Sequence, residues 1–188
     1  MMHKGIGFMA ALVFLLFSGL AMAQTHVLGF QLGISTYNQV KDNLPKTVKI
    51  ILNRTSSAYY GGPFLATDGK GYGIKELKTI HFAFDRNQTL IEVAMDLEGW
   101  RFNDIQKILS AKYQPVHSDR NDRTIFKANR DYVKLYHHSD EISVVYMTDT
   151  VYWKYVFEER QMEESKEERK REKKKMVERE AAKEAAKF

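Results

Sequence analysis

The sequence predicts an α+β fold, a two-layer sandwich of short helices on antiparallel sheet with a long charged C-terminal helix. Three observations carry this. Two short amphipathic segments each precede a series of alternating strand-like segments. Aromatic residues make up 12% of the chain, a composition that suits sheet cores. Residues 158–188 contain neither Gly nor Pro and are rich in strong helix formers.

The chain opens MMHKGIGFMAALVFLLFSGLAMAQTH. Lys4 supplies a positive start, Ile6 to Leu20 carries no charge, and Ala21 and Ala23 are the small residues that a signal peptidase needs. Residues 1–23 therefore read as a cleaved secretory signal, with Gln24 as the new N-terminus. The alternative, an uncleaved anchor, would rely on a run from Ile6 to Ala23 of about 18 residues, the lower limit for crossing a bilayer. The chain has no cysteine, which excludes disulfides, a lipidated N-terminal cysteine and a cysteine nucleophile. Small extracellular eukaryotic domains usually rely on cystines, so the expected location is the periplasm of a Gram-negative bacterium.

Residues 24–157 are expected to form the α+β domain. The first helical segment, Ser35 to Leu44, spaces Tyr37, Val40 and Leu44 on one face. Ser35 or Thr36 caps it and Pro45 ends it. The second, Phe102 to Tyr113, sets Phe102, Ile105, Ile108 and Leu109 on its apolar face, with Pro115 beyond its end. After the first helix come Thr47–Thr55, a glycine-rich stretch from Gly61 to Gly73, and two alternating strands, Ile80–Phe84 and Thr89–Leu97. Asp85 to Gln88 forms the turn between those two strands. After the second come Thr124–Ala128 and Tyr132–His137. A closing hairpin is then expected, from strands Ile142–Met147 and Val151–Phe157. A shift of 65 superposes Tyr37 on Phe102, Asn38 on Asn103, Val40 on Ile105 and Leu44 on Leu109. Residues 30–97 and 98–157 thus read as repeats of one helix-plus-strands unit, although a period with so few identities also arises from pattern alone.

The stretch LGFQLGISTYNQVKDNL resembles the opening of the BamE (SmpA/OmlA) outer-membrane assembly proteins. FNDIQKILSAKYQPV resembles the corresponding helix of related periplasmic domains. The tandem form is similar to the β-lactamase inhibitor protein architecture. The match covers about 16 residues in each half and is a packing motif. BamE proteins are lipoproteins and the inhibitor proteins carry disulfides, whereas this chain lacks cysteine. The resemblance implies a non-catalytic protein-binding module of the envelope and names no partner.

Motifs for chemistry are sparse. There is no Gly-x-Ser-x-Gly elbow and no phosphate loop. Gly69 to Gly73 leads toward a strand and reads as a turn, and no cofactor-binding pattern is present. His81 and His137 are the best candidates for an unrecognised catalytic site. His138 with Asp140 and Glu141 has the spacing of a loose surface metal site, while adjacent His137 and His138 face opposite ways on a strand. Asp119 and Asp122 lie in a polar stretch read as a solvated turn. Asn53 and Asn87 head Asn-x-Thr sequons but read as ordinary strand and turn residues. Tyr59, Tyr60, Tyr136 and Tyr152 are expected on loops or strand faces, where a partner could stack on them.

The net charge of +5 points weakly toward an anionic partner. Residues 157–188 hold 11 basic and 10 acidic side chains, so the tail is nearly neutral and nucleic acid is not an expected partner. Opposite charges three and four apart favour a solvated helix over 158–188. Its basic cluster, Arg169, Lys170, Arg171, Lys173, Lys174 and Lys175, is a candidate contact for anionic lipid or wall polymers. The expected function is an exported, non-catalytic periplasmic module that binds an envelope protein. The alternative is an envelope spacer whose basic tail touches anionic surfaces.

Overall fold

A computed structural model describes residues 25–74, 76–119, 123–138 and 140–185. The expected signal, residues 1–23, lies outside them. The chain divides into two compact units, residues 1–148 and 149–188.

The first unit is the sandwich. A small hairpin, β1 (His26–Val27) and β2 (Phe30–Gln31), precedes helix α1 (Tyr37–Asp42). Four strands follow: β3 (Ile50–Arg54), β4 (Phe64–Asp68), β5 (Leu77–Phe84) and β6 (Leu90–Glu98). Helix α2 (Phe102–Lys112) then leads into four more: β7 (Gln114–Asp119), β8 (Arg123–Ala128), β9 (Asp131–His138) and β10 (Glu141–Met147). All eight form one antiparallel sheet in the order β3-β4-β5-β6-β10-β9-β8-β7. A helix followed by four strands therefore occurs twice. The two sets meet through their last strands, with Met95 opposite Val144 and Leu97 opposite Ile142.

Local chemistry explains the helices. Thr36 caps α1: its Oγ1 accepts from the Gln39 backbone N–H, and Gln39 Oε1 accepts from the Thr36 N–H at 2.8 Å, a reciprocal capping box. Val40 is fully buried, and the Tyr37 ring meets Phe84 edge-on at 5.4 Å. On α2, Phe102 and Leu109 are buried but Ile108 is 61% exposed, contrary to the expected face. At about 100° per residue it sits roughly 120° from Phe102, beyond the stripe formed by Phe102, Ile105 and Leu109.

Both helices cover the same face of the sheet. One core gathers Val40, Leu65, Ile80, Phe82, Phe84 and Val93 with Val27, Phe30 and Leu32 from the N-terminal segment. The second gathers Phe102, Leu109, Phe126, Val133, Leu135 and Ile142. Met95, Leu97 and Tyr146, on the two central strands, pack against both. Thr25 adds a tie between the halves, its hydroxyl donating to the Ala128 carbonyl at 3.0 Å.

Several expectations are corrected. The glycine-rich stretch contains strand β4, and Gly62 lets the β3–β4 connection pass so close to Asp85 that a Cβ there would fall 1.8 Å from its carbonyl oxygen. No strand is expected from the sequence directly after the second helix, but β7 forms there and ends at Asp119, a residue expected in a solvated turn. The expected strand Val151–Phe157, with its turn at Thr148 to Thr150, is helical instead. In the second unit, helix α3 runs from Asp149 to Ala185, 37 residues or about 55 Å. The boundary thus falls after Thr148 rather than after Phe157. The Asp85–Gln88 turn forms as expected: Asp85 Oδ1 accepts from the N–H groups of Asn87 and Thr89, both at 2.9 Å.

Candidate functional site

On the sheet face away from the helices, the central strands carry a polar cluster around Asp96. Its neighbours Met95 and Leu97 point into the core, so strand alternation turns Asp96 the other way. Thr79 Oγ1 and His81 Nε2 donate to Asp96 Oδ2 at 2.8 and 3.0 Å, and Ser143 Oγ donates to Oδ1 at 2.7 Å. A carboxylate only accepts, so the His81 tautomer facing it carries its proton on Nε2. Partial burial alone would raise the Asp96 pKa, but the hydrogen bonds from His81, Ser143 and Thr79 outweigh it and hold the value at about 2. The cluster joins β5, β6 and β10 and so stitches the two halves together.

The arrangement does not assemble a nucleophile and base. Ser143 directs its single proton at the carboxylate rather than at the imidazole. His137, the other histidine singled out, lies across from Ile142 and meets Phe102 edge-on at 6.2 Å, on the helix-covered face. The sheet therefore separates His81 from His137. His138, Asp140 and Glu141 do not gather: among the described residues no group of three or more metal-binding side chains comes close enough to hold an ion. Asp119 ends β7 and is paired with His117 at 2.8 Å and with Arg123, whose guanidinium holds its carboxyl below the usual range. Asp122 lies outside the described residues.

An open cleft of about 630 Å³ lies beside Asp68, Lys70, Ile74, Glu76, Lys78 and Glu98. Its charges are of mixed sign, with Lys78 bonded to Glu141 at 2.8 Å and Glu76 lying 3.6 Å from Arg101, so it presents no single field to a charged ligand.

The two outer strands of the sheet differ sharply. On β3 all five residues are exposed, including Ile50 at 44%, Ile51 at 56% and Leu52 at 37%. Among the described residues, its outer side meets no strand. From Asn43 to Thr67 the chain has no Asp or Glu, while Lys46, Lys49 and Arg54 bracket the aliphatic triplet. At the opposite edge, β7 carries Pro115 and Asp119, whose carboxylate is paired with His117 of the same strand and with Arg123 at the start of β8. Proline and charge are the usual means of stopping a further strand from adding.

The residues expected to bind partners are distributed among these features. Tyr59 and Tyr60 lie on the connection between β3 and β4, their rings edge-to-face at 4.7 Å, with Tyr59 the more exposed. Tyr136 is half-buried on β9, opposite Ser143, with Lys134 Nζ 5.3 Å from its ring centre. Tyr152 is on α3, not a strand, beside Trp153 at 5.1 Å. Arg169, Lys170, Arg171, Lys173, Lys174 and Lys175 are exposed on α3, where Arg171 approaches Glu167 at 3.6 Å and Lys174 approaches Glu178 at 3.9 Å. No helix among the described residues is long and apolar enough to cross a membrane. Sequence reasoning missed the β3 edge; the acid-free run around KIILNR was the signal that could have found it. Comparison of the chain with protein-family models, curated proteins and solved structures finds no match.

Proposed function

We propose that the chain is an exported, non-catalytic periplasmic module that binds another envelope protein through its sheet unit. The observation that carries this reading is the open β3 edge, where three consecutive large aliphatic side chains face solvent beside strand backbone that no other described strand pairs on its outer side. Such an edge is a ready template for another chain. The N-terminal signal pattern supports export, and the resemblance to BamE-like domains supports a binding role.

A second reading, an envelope spacer touching anionic lipid or wall polymer, is favoured by one feature: the exposed basic run Arg169–Lys175 on a helix about 55 Å long. A photo-crosslinking amino acid placed in the full chain at Tyr59, Tyr136 or Arg171 separates the two. Crosslinks from Tyr59 or Tyr136 to one protein of defined mass are expected. Crosslinks only from Arg171, to lipid or wall material and released by salt, would replace the module reading with the spacer.

A further inference from the structure

We propose that the β3 edge accepts an extended peptide strand with an aliphatic centre and acidic flanks. This rests on the module reading above and names its surface and partner chemistry.

Three properties of the edge define the occupant. First, the backbone of Ile50–Arg54 bonds only to β4 among the described residues, leaving its outer row of groups to pair with an added strand. Second, the edge offers apolar contact on both sheet faces. Ile50 lies across from Thr67, on the helix-covered side, and Leu52 lies across from Ala66, on the other, with a bulge between them. A strand pairing here buries aliphatic side chains whichever way they alternate. Third, the side chains along the edge carry positive charge: Lys46, Lys49 and Arg54 are exposed and make no ion pair among the described residues, with Asp68 of β4 accepting from the Lys49 backbone N–H at 3.1 Å. Acidic residues at either end of an incoming strand meet that charge, and basic ones are repelled.

The same charges argue against other occupants. A second copy pairing antiparallel about Leu52 would set Ile50 against Arg54 and bring Lys49 of one copy beside Arg54 of the other, so like charges would adjoin at both ends. The chain's own acidic run from Glu158 to Glu168 is helical, and its backbone groups are already spent within α3.

The probe is a fluorescein-labelled nonapeptide with five alternating valines and threonines between two acidic residues at each end. Its counterpart has lysine at those four positions. Anisotropy titrations with the full chain at low salt should favour the acidic peptide by about tenfold. Ile51→Lys, which puts a charge on the edge as β7 does, should abolish binding without lowering the melting temperature. The triple variant Lys46→Glu, Lys49→Glu, Arg54→Glu should reverse the preference. If Ile51→Lys fails to fold, slowed amide exchange at Ile50–Arg54 in the wild-type chain on adding the acidic peptide reads the same contact. Equal binding of both peptides, binding unaffected by either variant, absence of binding, or dimerisation lost in Ile51→Lys would each overturn the proposal. Should the peptide fail while Tyr136 still crosslinks to one protein, the edge assignment alone falls. Should both fail, the module reading falls with it.

Discussion

The two halves of the sheet share an element order but finish their outer strands differently. The first half ends on β3, aliphatic and free of acidic residues; the second ends on β7, carrying Pro115 and an Asp119 carboxylate tied to His117 and to Arg123 of β8. Their connections differ too. Seven residues separate α1 from β3, whereas Tyr113 alone separates α2 from β7. The contrast teaches that a repeated architecture need not repeat its surface. Core positions answer to packing and stay alike, while the outer strand of each half answers to whatever does or does not pair with it.

The largest expected effect tests whether the halves are one cooperative body. Phe82 and Phe126 are fully buried, one in each core. Truncation to alanine should cost about 3–5 kcal/mol at either site, and urea unfolding should remain a single transition, because Met95, Leu97 and Tyr146 pack against both cores. Two separated transitions in Phe126→Ala would break the comparison into two independent domains.

A smaller effect concerns the stitch between the halves. The Asp96 pKa is depressed from 3.8 to about 2, so its contribution, about 2 kcal/mol, is fully present above pH 4 and is lost as pH falls through 2. Asp96→Asn should lower stability at neutral pH by about that amount and flatten the acid limb of a stability profile measured by urea titration. An unchanged acid limb would place the acid sensitivity elsewhere.

The smallest effect on stability concerns the guarded edge. Pro115→Val restores a backbone N–H on the exposed β7 edge and should shift stability by less than about 0.5 kcal/mol. If the proline guards that edge, sedimentation velocity should show new self-association. A monomer would show that the neighbouring charges suffice.

Much of this fold was legible, and the illegible parts have physical causes. Both helices were readable because apolar spacing is local, as is the Thr36 cap that α1 alone of the two carries. The repeat was visible only there: helix starts are 65 apart (Tyr37, Phe102), first strands 64 (Ile50, Gln114), and last strands only 51 (Leu90, Glu141), because the second half uses shorter connections. No single period spans the unit. Strand β4 was hidden among glycines that serve close backbone passage at Gly62. Val151–Phe157 alternates like a strand, but its apolar residues also fall four apart, Val151 with Tyr155 and Trp153 with Phe157. With no Gly or Pro from Asp149 to Ala185, the helix continues through them. Of the candidate site, Tyr59 and Tyr60 were legible as loop aromatics beside β3. The exposed edge was not, because strand order comes from long-range pairing and leaves no mark on a local window.

Joining the halves through β6 and β10 also sets a schedule during synthesis. Strand β6 is complete at Glu98, but its partner is complete only at Met147, 49 residues later. At ribosomal speed this is a wait of about 2–10 s. Through that interval the nascent first half has two open edges, β3 and β6, the second lined by Val93, Met95 and Leu97. Arrival of β10 closes the inner edge and leaves the outer one.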